Sequence, residues 1–466
     1  MEPSRVAPET VLDLIGDTPV LPLRRVAQGV PYRILAKLEF LNPGGSVKDR
    51  IGPSMLAAAE AQGLIQPGGT IVEATSGNTG VGLALAAAVK GYRCVFVIPD
   101  KMSSEKIRLL RAYGARVVVT PSQLPADHPM SHYSVAKRLA RELPNAYYPN
   151  QYENGENAGA HYRTTGPEIA AAAGPDLAAV VGTVGTGGTM SGVGRYFKEH
   201  HPGVRIVAVD PKGSVLGPAF RTGDPGKVVP YLVEGIGEDV VPKSIDFQWI
   251  DEFVEVQDRE SFFMARRLAR EEGLFVGGSS GSAVVGALRW LASEPIPKHS
   301  TVVVILPDSG DRYLSKFYSD EWMRETGMLE PGAVVADLLR EKASSPALVA
   351  VEPTTVVREA LETMRAHGVS QVPVLAGAEN LGSLAEDDVL RATLADGTIA
   401  DRTVSAVLGP RFSEVALDTP VGEAVRRLKE ERALLVRDPA SRAVVGLITR
   451  HDLVSHFSHP GASHAV

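Results

Sequence analysis

Six short runs rich in valine and isoleucine, with little alternation of polar residues, constrain the first two-thirds of this chain. They are Thr70–Thr75, Arg93–Pro99, Ala115–Val119, Ala178–Val184, Arg205–Asp210 and Thr301–Leu306. A strand that is apolar on both sides must be covered on both faces, as parallel strands in an α/β protein are. Amphipathic segments at Ser104–Tyr113, Ser134–Leu143 and Glu260–Glu272 lie between these runs and supply the cover. The pattern predicts doubly wound parallel sheets, in which ligand sites gather at the carboxyl ends of the strands.

Beyond Met328 the pattern changes. Leu329-Glu330-Pro331-Gly332-Ala333 reads as a linker, and an internal repeat follows. Val357-Arg-Glu-Ala-Leu361 returns as Val421-Gly-Glu-Ala-Val425, Gly382-Ser-Leu as Gly446-Leu-Ile, and Asp388-Val-Leu as Asp452-Leu-Val, each 64 residues on. A constant offset over three separated matches indicates duplication of a β-α-β-β-α unit. The expected domains are 1–327, a linker at 328–333, and two repeats at 334–398 and 399–466.

Composition removes several functions. With a net charge of −7 and acids and bases interspersed, no basic stripe is present to neutralise nucleic-acid phosphates. Cys94 is the only cysteine, so disulfides within the chain and thiolate metal clusters are excluded. His128 and His132 have i, i+4 spacing, but Pro129 argues against a helix there and no metal site is expected. The longest apolar stretch, Val81 to Val89, is far short of the about 20 residues that cross a bilayer. Without the apolar block of a secretory signal at the N-terminus, a cytoplasmic protein with no membrane partner is expected.

The chemistry lies in loops after strands. Asn42-Pro-Gly-Gly-Ser-Val-Lys48 puts an amine on the opening turn of a helix. Gly185-Thr186-Gly187-Gly188-Thr189 follows a buried strand and opens a helix at Met190, where amides and hydroxyls face an anion. A dinucleotide fold is the main rival, with Asp210 as the ribose acid, but the third glycine of its fingerprint would fall on Met190. An amine and a phosphate seat together point to pyridoxal phosphate. Thr75-Ser76-Gly77-Asn78-Thr79 opens another helix and suits the carboxylate of an amino acid, or simply caps that helix. Ser279, in Gly277-Gly278-Ser279-Ser280, stands at a third helix start with the same two readings.

Together these stretches resemble the fold-type II pyridoxal-phosphate enzymes, and among them the cystathionine β-synthase family, from Val11 to Trp322. The resemblance implies that Lys48 forms the Schiff base with the cofactor, Asn78 bonds its 3′-oxygen, Gly185 to Thr189 hold its phosphate and Ser279 faces its pyridine nitrogen. The implied reaction is a β-replacement joining L-serine to L-homocysteine to give cystathionine and water, a step of transsulfuration and cysteine biosynthesis. Thr75, Ser76, Gly77, Thr79, Gln151 and Tyr231 then form the substrate site. A serine opposite the ring nitrogen makes a weaker electron sink than a carboxylate, which suits β-elimination.

Cysteine synthases, which use O-acetylserine and sulfide, share the Lys48, Asn78, Gly185-loop and Ser279 motifs. Two features favour cystathionine β-synthase: Tyr152 after Gln151, and Glu234 in Tyr231-Leu-Val-Glu234-Gly-Ile-Gly237, where cysteine synthases commonly have glutamine. Glu234 is accordingly expected to meet the amino group of homocysteine, its rival reading being a surface carboxylate. Glu238 departs from the tyrosine common in animal and fungal relatives. Only about ten residues precede the catalytic segment, so haem is not expected, and fold-type II relatives suggest a homodimer or higher oligomer. No chemistry is assigned to His161.

The repeats resemble tandem CBS domains, which bind nucleosides. Gly446-Leu-Ile-Thr449-Arg-His-Asp452 fits their pattern, making Thr449 and Asp452 candidate ligands of S-adenosylmethionine or an adenine nucleotide. The first repeat has Ala385 in place of the hydroxyl. Asp388 and Asp452 read equally as helix N-caps. A contrasting possibility is a vestigial catalytic fold working as a nucleoside sensor, against which Lys48, Asn78 and Ser279 speak.

Overall fold

The structure, a computed structural model, describes residues 7–125, 127–294, 296–329, 333–342 and 348–458. The chain divides into two units, Met1–Met328 and Leu329–Val466. Of the linker expected at 328–333, residues 330–332 lie outside the described residues.

The first unit holds two sheets. The larger has the order β1-β2-β10-β7-β8-β9, from β1 (Val20–Pro22), β2 (Arg33–Leu38), β7 (Leu177–Thr183), β8 (Arg205–Pro211), β9 (Glu252–Val256) and β10 (Thr301–Leu306). All its pairs are parallel except β1 with β2. The smaller is wholly parallel, in the order β5-β4-β3-β6, from β3 (Thr70–Ala74), β4 (Arg93–Pro99), β5 (Arg116–Thr120) and β6 (Ala146–Tyr147). The six apolar runs are six of these strands, and β3 and β10 are buried along their whole length.

Among the described residues of the first unit, ten helices wind around the sheets: α1 (Ile51–Ala61), α2 (Asn78–Lys90), α3 (Ser104–Ala112), α4 (His132–Glu142), α5 (Gly155–Arg163), α6 (Thr165–Ala173), α7 (Gly188–His200), α8 (Leu216–Thr222), α9 (Asp258–Glu272) and α10 (Gly278–Ser293). A short α11 (Asp320–Glu325) ends it. Val302, Val304 and Leu306 of β10 pack with Ala283, Ala287 and Trp290 of α10, while Val303 and Ile305 turn to a second cluster with Met190, Val193 and Phe197 of α7. Both faces of the sheet are therefore covered, which is why its strands show no polar alternation. Cys94 sits half-buried on β4, where burial pushes its thiol up to about 12, leaving it inert at neutral pH.

The second unit repeats one motif after α12 (Val335–Glu341). α13 (Val357–Ala366), β11 (Gln371–Ala376), β12 (Glu379–Ala385) and α14 (Glu386–Ala395) form the first copy. β13 (Ser413–Ala416), α15 (Val421–Leu428), β14 (Ala433–Arg437), β15 (Val444–Thr449) and α16 (Arg450–Ser458) form the second. The starts of α13 and α15, and of α14 and α16, keep the offset of 64 residues. Leu375 of the first copy shares a cluster with Ala433, Leu435 and Leu447 of the second. No helix among the described residues is long and apolar enough to cross a membrane.

Candidate active site

Lys48 is placed by a clamped turn. After β2 the chain makes a one-turn 3-10 helix, Val47–Asp49, before α1. Ser46 Oγ caps it by accepting from Lys48 N at 3.2 Å, and Asp49 Oδ2 accepts from Gly44 N at 2.6 Å. The Arg312 guanidinium donates to the carbonyls of Gly44 and Gly45. Gly45 has φ +78°, and a Cβ there would strike that guanidinium at 2.6 Å. Behind the lysine, Arg50 is bound by Glu39 at 2.7 Å and by Glu168 at 2.6 Å, and Lys37 donates to Glu168 at 2.5 Å. Burial lowers the Lys48 pKa against the pull of Asp308, Glu238 and Glu39, so its amine is a readier base than a surface lysine.

The Gly185 loop joins β7 to α7. Among the described residues, no protein acceptor takes the amide protons of Thr186, Gly187, Gly188 or Thr189. Four free N–H groups at the positive end of a helix form an anion seat. The loop is held from outside: Asn157 Nδ2 donates to Thr186 Oγ1 at 3.0 Å, and Ser244 Oγ donates to the Thr186 carbonyl at 2.6 Å. His161, without assigned chemistry in the sequence, is buried with Nδ1 2.8 Å from Thr165 Oγ1 and Nε2 3.1 Å from Thr189 Oγ1. Burial, with the charges of Arg50 and Lys48, lowers its pKa well below the usual value, so the neutral ring holds Thr189 in place. The glycines are required by packing: a Cβ on Gly188 would meet Asn157 Oδ1 at 2.1 Å, and one on Gly187 would meet Ile245 at 2.3 Å.

Asn78 opens α2 and Ser279 lies in the first turn of α10. Both line one cavity with Lys48, Gly185, Thr186, Gly187, Thr189 and Glu234. Asn78 Nδ2 donates to Asp308 Oδ2 at 2.8 Å, which also accepts from the Tyr313 hydroxyl at 2.6 Å. Asn78 Oδ1 and Asp308 Oδ1 are buried with no partner among the described residues. A buried polar atom without a partner marks a place where a ligand atom completes the bonding. An amine, an incompletely bonded amide, a hydroxyl and four free amides around one cavity fit a phosphorylated aldehyde such as pyridoxal phosphate.

A wider cavity of about 290 Å³ opens from the same lysine, lined by Ser76, Lys101, Gln151, Tyr152, Tyr231, Glu234 and Glu238 among others. Thr75 Oγ1 accepts from Gly77 N at 2.9 Å and Gly80 N at 3.3 Å, which shapes the loop. Gly77 has φ +122°, and a Cβ there would press on the Lys106 stem. Thr79 Oγ1 donates to Gln151 Oε1 at 2.6 Å, and Gln151 Nε2 donates to the Ala74 carbonyl at 3.2 Å. Tyr152 packs edge-on against Tyr133, 5.1 Å between ring centres. Glu234 is not a surface carboxylate: it lines both cavities and pairs through Oε2 with buried Lys106 at 2.8 Å, and that ammonium also lies 4.6 Å over the Tyr313 ring. His132 begins α4 on the wall of this cavity, and no metal-binding group of His, Cys, Asp or Glu occurs among the described residues.

In the second unit Asp452 Oδ2 accepts from Thr449 N at 2.7 Å and Thr449 Oγ1 at 2.9 Å, and pairs with Lys342 at 3.1 Å. It is the third residue of α16, reaching back to Thr449, rather than an N-cap itself. A two-oxygen grip on ribose hydroxyls would have to break those bonds. Asp388 likewise stands third in α14. Its carboxylate meets Arg391 at 2.6 Å and lines a cavity of about 340 Å³ with Ser383, Ala385, Arg411, Phe412 and Arg432.

Known proteins agree with this geometry. Residues 11–308 match the family of pyridoxal-phosphate dependent enzymes, and residues 335–395 and 404–459 each match the CBS domain. The fold and site are those of a pyridoxal-phosphate enzyme carrying a CBS domain pair. Cystathionine beta-synthase of Oryctolagus cuniculus is 40% identical over 96% of this chain and 84% of that protein. The Dictyostelium discoideum protein of the same name is 36% identical over 96% of the chain and 92% of its own length. Among solved structures, an O-acetylserine dependent cystathionine beta-synthase from Helicobacter pylori is 40% identical, covering 67% of this chain and 98% of its own, with a TM-score of 0.61. The chain belongs to the cystathionine beta-synthase family.

Proposed function

We propose that the chain joins L-serine to L-homocysteine by β-replacement, releasing water and giving L-cystathionine, within transsulfuration and cysteine biosynthesis. The observation that carries this reading is the match to relatives of that name along both the catalytic segment and the CBS pair. When bound, the cofactor supplies the electron sink that lets the Cα–H bond break as a proton and the β-substituent leave.

Lys48 would hold the cofactor, with the Gly185–Thr189 amides for its phosphate, Asn78 for its 3′-oxygen and Ser279 for its ring nitrogen. The first amides of α2, with Ser76 and Thr79, take the serine carboxylate, on a loop kept in shape by Thr75, Gly77 and Gln151. With its Nζ free, Lys48 would remove the Cα proton and pass a proton to the departing β-hydroxyl, so that water leaves. The homocysteine sulfur then bonds to Cβ, and the thiol proton returns through Lys48 to Cα. Tyr152 and Tyr231 wall the side from which the thiol enters.

A product assay crossing serine or O-acetylserine with homocysteine or sulfide tests this. Cystathionine from serine and homocysteine is the expected product. Rapid turnover of O-acetylserine with sulfide, and no cystathionine from serine, would make the chain a cysteine synthase instead. O-acetylserine with homocysteine is the second reading, favoured by the name of the Helicobacter pylori structure.

The CBS pair is read as the seat of an adenosyl effector, S-adenosylmethionine or an adenine nucleotide. Asp452 is bonded to Thr449 and Lys342, and Asp388 to Arg391; because Asp388 also lines a cavity, the ribose acid is assigned to it in preference to Asp452. Calorimetric titration with S-adenosylmethionine should show roughly tenfold weaker binding in Asp388→Ala, the loss of about one charge-assisted hydrogen bond. Undiminished binding in Asp388→Ala with loss in Asp452→Ala would return the site to the second repeat. Regulation requires that such a ligand bind two states of the catalytic unit unequally.

A further inference from the structure

Three acids, Glu234, Glu238 and Asp239, line the cavity through which the thiol must pass, and the structure treats the two glutamates differently. Glu234 has its charge met by Lys106 at 2.8 Å, with both side chains buried. Glu238 lines the same cavity, yet among the described residues its carboxylate accepts no hydrogen bond and enters no ion pair. Its backbone is nonetheless firmly placed. Glu238 N donates to Ser214 Oγ at 3.1 Å, its carbonyl accepts from Val215 N at 3.1 Å, and Gly237 N beside it donates to the Val184 carbonyl at 2.7 Å. Gly235 and Gly237, at φ +82° and +71°, make the bends that bring both glutamates to one wall.

An acid held rigidly in a cavity without a partner is a site prepared for a cation. Burial, then the adjacent Asp239 carboxylate, pushes Glu238 up to about 8, opposed by Lys101; Asp210 raises it further and Lys48 lowers it. An ammonium arriving beside it draws the carboxyl back to its charged form. Lys101, whose Nζ lies 5.9 Å over the Tyr231 ring, lines the same cavity and offers a cation of its own. Acid and base on one cavity complement a zwitterion, an amino acid entering whole.

We propose that Glu238, rather than Glu234, binds the ammonium group of the incoming amino-acid thiol, with Lys101 as the partner of its carboxylate. This rests on the β-replacement reading and names the residue by which the site tells an amino-acid thiol from a simple one.

The test uses the holoenzyme, its loading confirmed by cofactor absorbance, with whichever donor turns over. It compares homocysteine with 4-mercaptobutyrate, which keeps the thiol and carboxylate but lacks the amine. The ratio of kcat/KM for homocysteine to that for 4-mercaptobutyrate should fall roughly tenfold in Glu238→Gln, as for one charge-assisted hydrogen bond lost, and hold in Glu234→Gln. A ratio unchanged in Glu238→Gln, or one that falls only in Glu234→Gln, overturns the assignment. Wild-type enzyme that turns over neither thiol overturns the reading of homocysteine as the acceptor, a result separable from the other two.

Discussion

Replacing Lys48 with alanine is expected to lower turnover by at least about a thousandfold and to remove the Schiff-base absorbance of the purified protein, since the lysine is both base and acid in the reaction. The two readouts are linked for a structural reason. Lys48 shares its cavity with Asn78, Ser279 and the free amides of the Gly185 loop, and among the described residues no other lysine lines it. The substitution leaves the clamp around the turn intact, because Ser46, Asp49 and Arg312 bind backbone there and not the lysine side chain. The folded protein should therefore still take up cofactor weakly through the phosphate seat. Spectrophotometry and steady-state kinetics on one preparation check both effects. Substantial turnover in Lys48→Ala would mean that another group moves the Cα proton.

The second large effect is on stability. Glu39→Ala should destabilise the catalytic unit by about 3–5 kcal/mol, because it strips a buried guanidinium of a carboxylate partner. Arg50 and Glu39 are both essentially inaccessible to solvent, and Glu39 also accepts from Thr18 Oγ1 at 2.7 Å and Asn42 Nδ2 at 3.0 Å. Glu168 supplies the other half of the network. Burial alone would raise its pKa, but the hydrogen bonds and charges of Arg50 and Lys37 outweigh that and lower it to about 2. A carboxylate depressed in the folded state stabilises it fully above its ordinary pKa and loses that contribution as pH falls through the folded value. The unit should thus lose the Glu168 contribution between about pH 4.5 and pH 2. Denaturant midpoints at neutral and acid pH measure both effects. A Glu39→Ala midpoint equal to wild type would show that the Arg50 charge finds another partner.

What could be read from the sequence, and what could not, divides along a physical line. Runs such as Thr301–Leu306 declare themselves because burial on both faces leaves them almost wholly apolar, Thr301 apart. β2 does not: Arg33-Ile-Leu-Ala-Lys37-Leu carries a lysine that looks solvent-facing, yet Lys37 is buried and paired with Glu168. The edge strand β9, Glu252–Val256, has only its last residue fully buried and two glutamates in five residues. In the site, Lys48, Asn78, the Gly185 loop and Ser279 could be picked out because each sits in a local stretch of glycine and small residues with its own turn chemistry. Asp308, His161, Asn157 and Lys106 could not, because their work is done across long separations. Asp308 meets Asn78 from 230 positions away, and Lys106 meets Glu234 from 128. That last pair shows why the surroundings of Glu234 could not be read locally: its partner Lys106 lies on α3, far away in the chain.

The central claim is tested most directly with serine deuterated at its β-carbon, supplied together with homocysteine to the cofactor-loaded enzyme. Mass spectrometry should find cystathionine that keeps both β-deuteriums, formed by the wild type and not by Lys48→Ala. No labelled cystathionine from wild-type enzyme whose absorbance shows the site to be loaded would contradict the account.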